Sequence, residues 1–230
     1  MVETRRERVR AATTQEIVDS ARRILVTEGR EAVSLRAIAR DMGMTAPALY
    51  RYFDGHENLI KHLCHVFQDE LATVIEGEVG LIAGKDAGER LVVACRAFRR
   101  WSLDHPNEYG LLFGSPLPGV FRTPMPKDAE AMTAHRFAAV FLMLFVELWR
   151  TRPFRLPEEV DPRLIAQLTS FQQGFGGELP IECLVVFLDC WVRLQGIVSL
   201  EVFGHLRFAL TDAEPMFEMT LADLRERLGA

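Results

Sequence analysis

The chain has 230 residues, 49% of them hydrophobic and 26% charged, which is ordinary for a soluble globular protein with one large or two modest domains. The net charge of −5 does not by itself indicate a nucleic-acid-binding protein, but the first 53 residues carry +3 and the remainder −8. We therefore expect only the N-terminal part to face phosphate. No stretch predicts a secretory signal, and the longest apolar run, residues 137–146, is too short to cross a bilayer, which needs about 20 residues. These features predict a cytoplasmic protein without a membrane partner.

Apolar residues recur at three- and four-residue spacing along almost the whole chain, which predicts an all-helical protein. The first helix is expected to begin at Thr13, because Thr13 and Glu16 have the spacing of a capping box, and to end at Gly29. A short second helix is expected between Ser34, which can cap it, and Gly43, which tolerates the positive φ that ends many helices.

The next two helices follow directly. A third short helix, residues 46–53, is expected to be capped by Thr45, with Pro47 in its first turn, where no intrahelical donor is lost. Asp54 and Glu57 predict the start of a fourth, longer helix that runs to about residue 79.

Beyond the fourth helix, glycine and proline residues divide the chain into five further helical segments. They are expected at residues 86–104, 127–150, 162–175, 179–204 and 212–228. A stretch with four prolines and two glycines, residues 114–126, predicts a loop. The expected fold is all-α, with an N-terminal three-helix domain joined through the long fourth helix to a C-terminal helical bundle.

Residues 35–50 carry the functional signal. Two short helices flank a tight turn at Gly43, and the small Ala39 lies four residues before the glycine, which lets the helices cross closely. The shared core is expected to come from Ile38, Met42, Leu49 and Phe53. This is the spacing of a helix-turn-helix, in which the second helix lies in the DNA major groove and the first braces it. It predicts a DNA-binding domain in residues 1–57 and a second domain in residues 58–230, although two short helices around a glycine also occur in proteins that do not bind DNA.

Long donors and hydroxyl groups on this segment are candidate DNA contacts. Arg51 can pair its guanidinium fork with guanine O6 and N7. The hydroxyls of Thr45 and Tyr50, like the free amides at the start of the bracing helix, suit phosphate. His56 and Lys61 begin the fourth helix and could reach the DNA backbone from the far side. The full candidate set is Ser34, Arg36, Thr45, Ala46, Pro47, Ala48, Tyr50, Arg51, Tyr52, His56 and Lys61. Salt-dependent affinity, or a minor-groove contact, is also expected from a basic arm made of Arg5, Arg6, Arg8 and Arg10.

Three stretches of the N-terminal part resemble one protein family. They are Ile17-Val-Asp-Ser-Ala-Arg-Arg-Ile-Leu25, Ser34-Leu-Arg-Ala-Ile-Ala39 and Gly43-Met-Thr-Ala-Pro-Ala-Leu-Tyr-Arg-Tyr-Phe53, of which the last is the most specific. Residues 13–63 thus resemble the N-terminal domain of the tetracycline-repressor (TetR) family of bacterial regulators. The resemblance implies an all-helical homodimer on a palindromic operator, release of DNA by a small-molecule effector, and usually repression. The family often has lysine where this chain has His56, so a phosphate contact there would depend on pH.

The C-terminal part resembles one TetR subtype. The matching stretches are Trp101-Ser-Leu-Asp-His-Pro-Asn-Glu-Tyr109, Leu111-Leu-Phe-Gly114, and Trp191 followed by Gly196-Ile-Val-Ser-Leu-Glu201. The subtype often carries histidine before the glycine, where this chain has Gln195. Many aromatic rings with a few polar groups predict an apolar effector pocket, although most of the rings are ordinary core. The candidates for the pocket are Phe98, Trp101, His105, Tyr109, Phe113, Phe141, Phe145, Gln172, Trp191 and Gln195. His105 also suits the plainer role of capping the helix before Pro106.

By the same resemblance, residues 58–230 form a ligand-binding and dimerisation domain, with the dimer surface on the helices at 162–175 and 179–204. The candidate interface residues are Phe187, Val198, Val202 and Phe203. Our hypothesis for regulation is that a bound effector shifts neighbouring helices and that the fourth helix acts as a lever. The two recognition helices then no longer match half-sites about 34–36 Å apart.

Other functional classes have less support. The sequence shows no nucleophile–base pair, Gly-rich phosphate loop or metal-ligand spacing, which disfavours an enzyme and predicts neither a cofactor nor a metal. Four cysteines in apolar helical patterns are expected to be buried reduced thiols: Cys64, Cys95, Cys183 and Cys190. A pure ligand carrier would not need residues 45–53. Within the DNA-binding class, an activator or an effector-independent DNA-binding protein stays open.

Overall fold

The computed structural model describes residues 4–114, 129–155, 157–174 and 180–229, and the regular structure of these residues is entirely helical. The helices are α1 (Arg5–Glu28), α2 (Leu35–Asp41), α3 (Ala46–Leu49), α4 (His56–Leu81), α5 (Ala87–Asp104), α6 (Pro106–Phe113), α7 (Ala129–Thr151), α8 (Pro162–Gly174), α9 (Ile181–Val202) and α10 (Glu214–Leu228). The predicted all-α fold is confirmed. The loop predicted from residue 115 onward and the glycine break at residues 176–177 lie outside the described residues.

The chain divides into two compact units. The N-terminal unit comprises residues 1–67 and 107–117, and the C-terminal unit comprises residues 68–106 and 118–230. Helix α4 contributes residues to both, because the division falls after Phe67. A compact unit is not by itself a functional domain, so the domain boundary at residue 57 stays a prediction.

Helix α1 begins earlier than predicted. Thr4 Oγ1 accepts a hydrogen bond from the Glu7 amide (3.3 Å), and the Glu7 carboxylate accepts one from the Thr4 amide (2.8 Å), which completes a capping box. The start predicted at Thr13 is wrong, because the apolar stripe used to place it marks only the buried part of the helix, which begins at Ile17. Residues 5–12 are exposed but helical, so the expected basic arm is part of α1.

Helices α2 and α3 lie close to their predicted positions, but α3 is shorter than predicted. Ser34 Oγ accepts a hydrogen bond from the Ala37 amide at 3.1 Å, which confirms Ser34 as the cap of α2. The amides of Tyr52 and Phe53 both donate to the Leu49 carbonyl, at 2.9 and 3.1 Å, so the chain turns there and the helix does not reach residue 53.

Helix α6 was not predicted. Asp86 caps α5 as expected, accepting a hydrogen bond from the Glu89 amide at 3.0 Å, and α5 ends at Asp104. Pro106 follows the end of α5 but does not end the helical structure there. It occupies the first position of α6, where a proline has no intrahelical donor to lose.

In the C-terminal unit, α5 packs against α7, α9 and α10, and α8 packs against α9. By length and composition α9 could cross a membrane, and only 28% of its most apolar window is buried. Val198 of α9 is completely buried within the unit, which removes it from the candidate dimer contacts. Phe203, just after α9, is 40% exposed and keeps its place among them.

Candidate nucleic-acid interface and internal cavity

The turn between α2 and α3 is tight because Gly43 adopts a φ of +65°, a conformation that residues with a Cβ rarely adopt. The Met44 amide donates to the Ala39 carbonyl at 2.8 Å and closes the turn. Ile38 and Leu49 are completely buried, and Ala39 is 3% exposed. Of the predicted shared core, Ile38, Leu49 and Phe53 are buried, with the small Ala39 at the crossing of the helices, whereas Met42 is only partly buried.

A carboxylate ties the end of α2 to α1. The Ser20 hydroxyl donates to Asp41 Oδ2 at 2.5 Å, and Arg23 Nη2 donates to the same oxygen at 2.6 Å. These two donors lower the pKa of the Asp41 carboxyl below its ordinary value. No local sequence signal indicates this contact, because Ser20 and Arg23 lie about 20 residues from Asp41 and outside the helix-turn-helix segment.

The start of α2 and the segment around α3 expose side chains suited to DNA. Tyr50 is 56% exposed. The expected cap at Thr45 is wrong, because its hydroxyl makes no capping hydrogen bond, and this leaves the hydroxyl available to other partners. The exposed candidates are Arg36, Thr45, Pro47, Tyr50 and Arg51, and the partly buried ones are Ser34, Ala46, Ala48 and Tyr52. Around α3, small residues beside the Arg51 guanidinium allow close approach to a DNA groove.

Two candidates at the start of α4 already have partners within the chain. His56 Nε2 lies 2.9 Å from the Val33 carbonyl, so this nitrogen carries the proton, and Nδ1 can donate only when the ring is charged. Lys61 Nζ lies 2.7 Å from a carboxylate oxygen of Glu57. Both side chains must therefore exchange a partner, or add one, before they bind phosphate.

One arginine of the predicted basic arm contacts the segment after α3. Arg10 Nη2 donates to the Arg51 carbonyl at 3.4 Å, and the Arg10 guanidinium carbon lies 5.5 Å from the centre of the Tyr52 ring. The sequence offered no signal for this contact, because it joins residues 41 positions apart.

An aromatic cluster fills part of the C-terminal unit. The ring centres of Phe98 and Trp191 are 5.7 Å apart, and Phe137 lies 5.5 Å from Phe98 and 5.5 Å from Phe141. These separations are those of packed aromatic pairs. All four rings belong to the aromatic residues from which the sequence predicts a pocket, and Phe137 lies one helical turn before Phe141.

A small apolar cavity of about 60 Å³ lies between α5, α7, α9 and α10. Its lining consists of Gly88, Leu91, Val92, Cys95, Phe141, Phe145, Phe187, Cys190, Trp191, Leu194, Leu221, Leu224, Arg225 and Leu228. Burial raises the pKa of Cys95 to about 12 and that of Cys190 to about 11, so both thiols are uncharged at neutral pH. Apart from Arg225 the lining is uncharged, and it suits an apolar occupant.

The other pocket candidates lie away from this lining. His105 packs on Trp101 with ring centres 5.0 Å apart, at the C-terminal end of α5. Tyr109 and Phe113, with ring centres 4.9 Å apart, belong to the N-terminal unit. Phe98 is completely buried, whereas Gln172 and Gln195 are partly buried. The leucines of α10 that line the cavity were not predicted, although their three- and four-residue spacing marks an apolar face.

Glu201, the last residue of the Gly196-to-Glu201 stretch, has a defined structural partner. Both oxygens of Glu201 accept hydrogen bonds from Arg99, at 2.8 and 2.7 Å, and the two side chains are only 12% and 14% exposed. The Arg99 guanidinium also lies 5.1 Å from the Phe217 ring centre. The pair thus joins α5 to α9 beside α10.

The described residues form a pair of short helices joined by a tight turn at Gly43, followed by a C-terminal helical bundle. This arrangement is typical of helix-turn-helix DNA-binding proteins. Residues 17–63 match the family described as bacterial regulatory proteins, tetR family, and residues 91–224 match the tetracyclin repressor-like C-terminal domain. The second match covers more than half of the chain. The chain therefore belongs to the TetR family and is a DNA-binding transcriptional regulator.

Individual relatives agree. The HTH-type transcriptional regulator Rv1816 of Mycobacterium tuberculosis is 29% identical over 216 residues, which cover 93% of this chain and 91% of the relative. The crystal structure of the protein SCO4313 shares 34% identity and a TM-score of 0.72, over 96% of this chain and 98% of that one. A TetR family transcription regulator from Marinobacter aquaeolei VT8, at 15% identity, has a TM-score of 0.57 over 92% of this chain and 93% of its own, and so shows the common fold.

Proposed function

We propose that this protein is a homodimeric, sequence-specific repressor in the bacterial cytoplasm, and that a small apolar or amphipathic effector releases it from a palindromic operator. The observation that carries the proposal is the segment from Thr45 to Arg51, which exposes Thr45, Pro47, Tyr50 and Arg51 while its Leu49 is buried in the core together with Ile38. Repression is what the resemblance to the family implies. We also infer that the stretch ending at Glu201 marks the C-terminal subtype, because its carboxylate anchors α9 to α5.

In this proposal Arg51 reads a base and the remaining candidates hold the protein on the backbone. Thr45, Tyr50 and Tyr52 offer hydroxyls to phosphate. Arg36 is exposed on α2 and adds a charged contact. The other members of the set are Ser34, Ala46, Pro47 and Ala48, which allow close approach, and His56 and Lys61, which bind phosphate after exchanging their present partners.

The test selects binding sites from random double-stranded DNA with the full chain, at about 0.15 M salt. We expect a two-fold symmetric site. Arg51→Ala should lose discrimination at one base pair in each half-site, by a factor of about 5 to 150. Arg207→Ala, which removes an exposed arginine from the C-terminal unit, is the matched control and should change nothing. A pool without an enriched site would contradict the proposal.

The proposed dimer uses α8 and α9. Val192 is 66% exposed and Leu200 42% exposed, so α9 presents apolar surface that a second copy would cover. Val192→Glu should give a monomer in analytical ultracentrifugation and should bind the two-fold site much more weakly. Val26→Glu is the control, because Val26 is similarly exposed, at 51%, but lies on α1. An unchanged dimer in Val192→Glu would place the interface elsewhere.

The proposed effector site is the cavity between α5, α7, α9 and α10. At about 60 Å³ the cavity must expand to hold an effector. A bound effector would therefore favour a conformation with the expanded cavity over the present one. The amphipathic dye 1-anilinonaphthalene-8-sulfonate should fluoresce on binding and weaken the operator complex. Cys190→Phe, which fills the cavity, should abolish both effects. Val74→Phe should retain both, because Val74 is 37% exposed on α4 and does not line the cavity.

A second candidate function is an effector-independent DNA-binding protein of the same fold. The packed cluster of Phe98, Phe137, Phe141 and Trp191 favours it, because these rings occupy the interior where an effector would bind. It predicts that the dye and a panel of apolar acids and aromatic compounds leave operator affinity unchanged. Release by any of them would decide for the effector-controlled protein.

A further inference from the structure

After α3 the Leu49 carbonyl still accepts hydrogen bonds from the Tyr52 and Phe53 amides, but no backbone amide of the described residues donates to the Arg51 carbonyl. In a continued helix the Arg51 carbonyl would accept a hydrogen bond from the Gly55 amide, but that amide donates to the Phe53 carbonyl at 2.9 Å. Among the described residues, the Arg51 carbonyl accepts a hydrogen bond from one group, the Arg10 guanidinium. A leftover carbonyl at the end of a helix carries partial negative charge and attracts a cation.

Arg10 contacts two consecutive residues of this segment. Its Nη2 donates to the Arg51 carbonyl at 3.4 Å, and its guanidinium carbon lies 5.5 Å from the centre of the Tyr52 ring, within the range of a cation–π contact. One rigid planar group therefore holds a backbone oxygen and a neighbouring ring together. This restrains the backbone from which the Arg51 side chain projects.

The early start of α1 brings Arg10 to this place. The match to the family begins at residue 17, so Arg10 lies outside the matched residues. The capping box at Thr4 begins a helix whose first eight residues, 5–12, are all exposed. These turns bury no apolar face, so stability of the core does not account for them. Arg8 carries the same charge on the same helix but, at 3.6 residues per turn, projects from nearly the opposite face.

We propose that Arg10 is a positioning residue for base recognition: it caps the turn after α3 and fixes the direction in which Arg51 meets the DNA. Arg10 does not itself read a base or neutralise a phosphate. The inference rests on the proposed function, in which Arg51 reads a base.

The test compares Arg10→Ala, Arg8→Ala, Arg51→Ala and the Arg10→Ala/Arg51→Ala double variant on the selected operator and its single-base variants. Arg10→Ala should lower discrimination at the base pair that Arg51 reads by about fivefold or more, and elsewhere by less than about twofold. Its salt dependence should match that of the unmodified protein, because each phosphate contact contributes about 0.9 to the slope of log affinity against log salt concentration. The double variant should discriminate no worse than Arg51→Ala. Arg10→Lys should restore only part of the loss, because lysine can donate to the carbonyl but has no planar fork.

The outcomes distinguish failure of the positioning role from failure of the proposed readout role. Uniform weakening on all sites with a slope reduced by about 0.9 would make Arg10 a phosphate contact and overturn the inference. Equal effects of Arg10→Ala and Arg8→Ala, or no effect of Arg10→Ala where Arg51→Ala has one, would overturn it as well. If Arg51→Ala keeps full discrimination, the proposed readout role is wrong and the positioning role is refuted with it. Circular dichroism of each variant checks that α1 remains helical.

Discussion

The largely buried ion pair between Arg99 and Glu201 predicts a large loss of stability when one partner is removed. Removing one partner of a fully buried pair costs about 3–5 kcal/mol, whereas an exposed pair contributes about 0–1 kcal/mol. With 14% and 12% of the two side chains exposed, the pair lies near the buried limit. Glu214, with an oxygen 3.6 Å from Arg99, remains as a partial substitute. We therefore expect Glu201→Gln to lower the free energy of unfolding by about 2–3 kcal/mol.

Urea unfolding followed by tryptophan fluorescence measures this loss, because all three tryptophans belong to the C-terminal unit. With a dependence of about 2–3 kcal/mol per M, the midpoint should fall by about 1 M. The pair between Arg96 and Glu218 is the control, since it has similar hydrogen-bond lengths of 2.8 and 2.6 Å but side chains 53% and 38% exposed. Glu218→Gln should cost less than about 1 kcal/mol.

The double variant Arg99→Met/Glu201→Leu separates a lost attraction from an unpaired charge. Two apolar residues leave no desolvated charge behind, so this variant should lie within about 1 kcal/mol of the unmodified protein. If Glu201→Gln and Glu218→Gln cost the same, burial does not set the strength of these pairs. If the double variant loses as much as Glu201→Gln, the reasoning from an unpaired charge is refuted.

Three further predictions concern single sites. Gly43→Ala should destabilise the N-terminal unit by about 1 kcal/mol in thermal unfolding, because its φ is +65°, whereas Gly77→Ala inside α4 should stabilise by up to about 1 kcal/mol; equal effects would contradict the role of φ. The Asp41 carboxyl has a lowered pKa, so the stability it provides is complete above about pH 4 and is lost as the pH falls through that lowered pKa. Asp41→Asn should lack this acid-dependent loss of stability in an acid titration followed by CD. Identical titrations of the two proteins would contradict a stabilising hydrogen bond between Ser20 and Asp41. Cys64, Cys95 and Cys183 are buried, and burial raises the pKa of each thiol to about 12, so iodoacetamide at pH 8 should modify them only after unfolding, as mass spectrometry would show. Cys190 is only partly buried, which corrects the expectation that all four thiols are buried. Rapid labelling of the other three in the folded protein would contradict their burial.

The sequence predicted those helix ends that are decided by contacts between residues a few positions apart. The predicted caps of α2 and α5 are confirmed. In each, the side chain accepts a hydrogen bond from the amide three residues later, so the contact lies within one helical turn and is visible in the sequence. The start of α1 was missed for the same physical reason, since Thr4 and Thr13 offer equivalent spacings and only exposed residues separate them. Pro106 was treated only as the end of a helix, although the same fixed φ that ends one helix suits the start of the next.

Contacts between distant residues could not be predicted from the spacing of one sequence. The aromatic rings of the C-terminal unit were candidates by residue type, but which of them enclose a cavity depends on how α5, α7, α9 and α10 pack. Cys95, Cys190 and the α10 leucines join three of the ten candidates in the cavity lining. The pairing of Arg99 with Glu201 joins residues 102 positions apart, and no local pattern indicates it.

The segment from Thr45 to Arg51 shows why the helix-turn-helix motif alone does not determine the position of the residues that would meet DNA. With four residues, α3 forms too few intrahelical hydrogen bonds to be stable by itself, so its position must come from the surrounding structure. The buried Leu49 side chain anchors α3 in the core, and the hydrogen bond from Ser20 of α1 to Asp41 restrains α2. The hydrogen bond from Arg10 to the Arg51 carbonyl restrains the turn after α3. Two of these three supports come from α1, and Arg10 comes from a part of α1 outside the family match. Two relatives with identical residues 43–53 should therefore differ in base preference when their α1 helices begin at different positions.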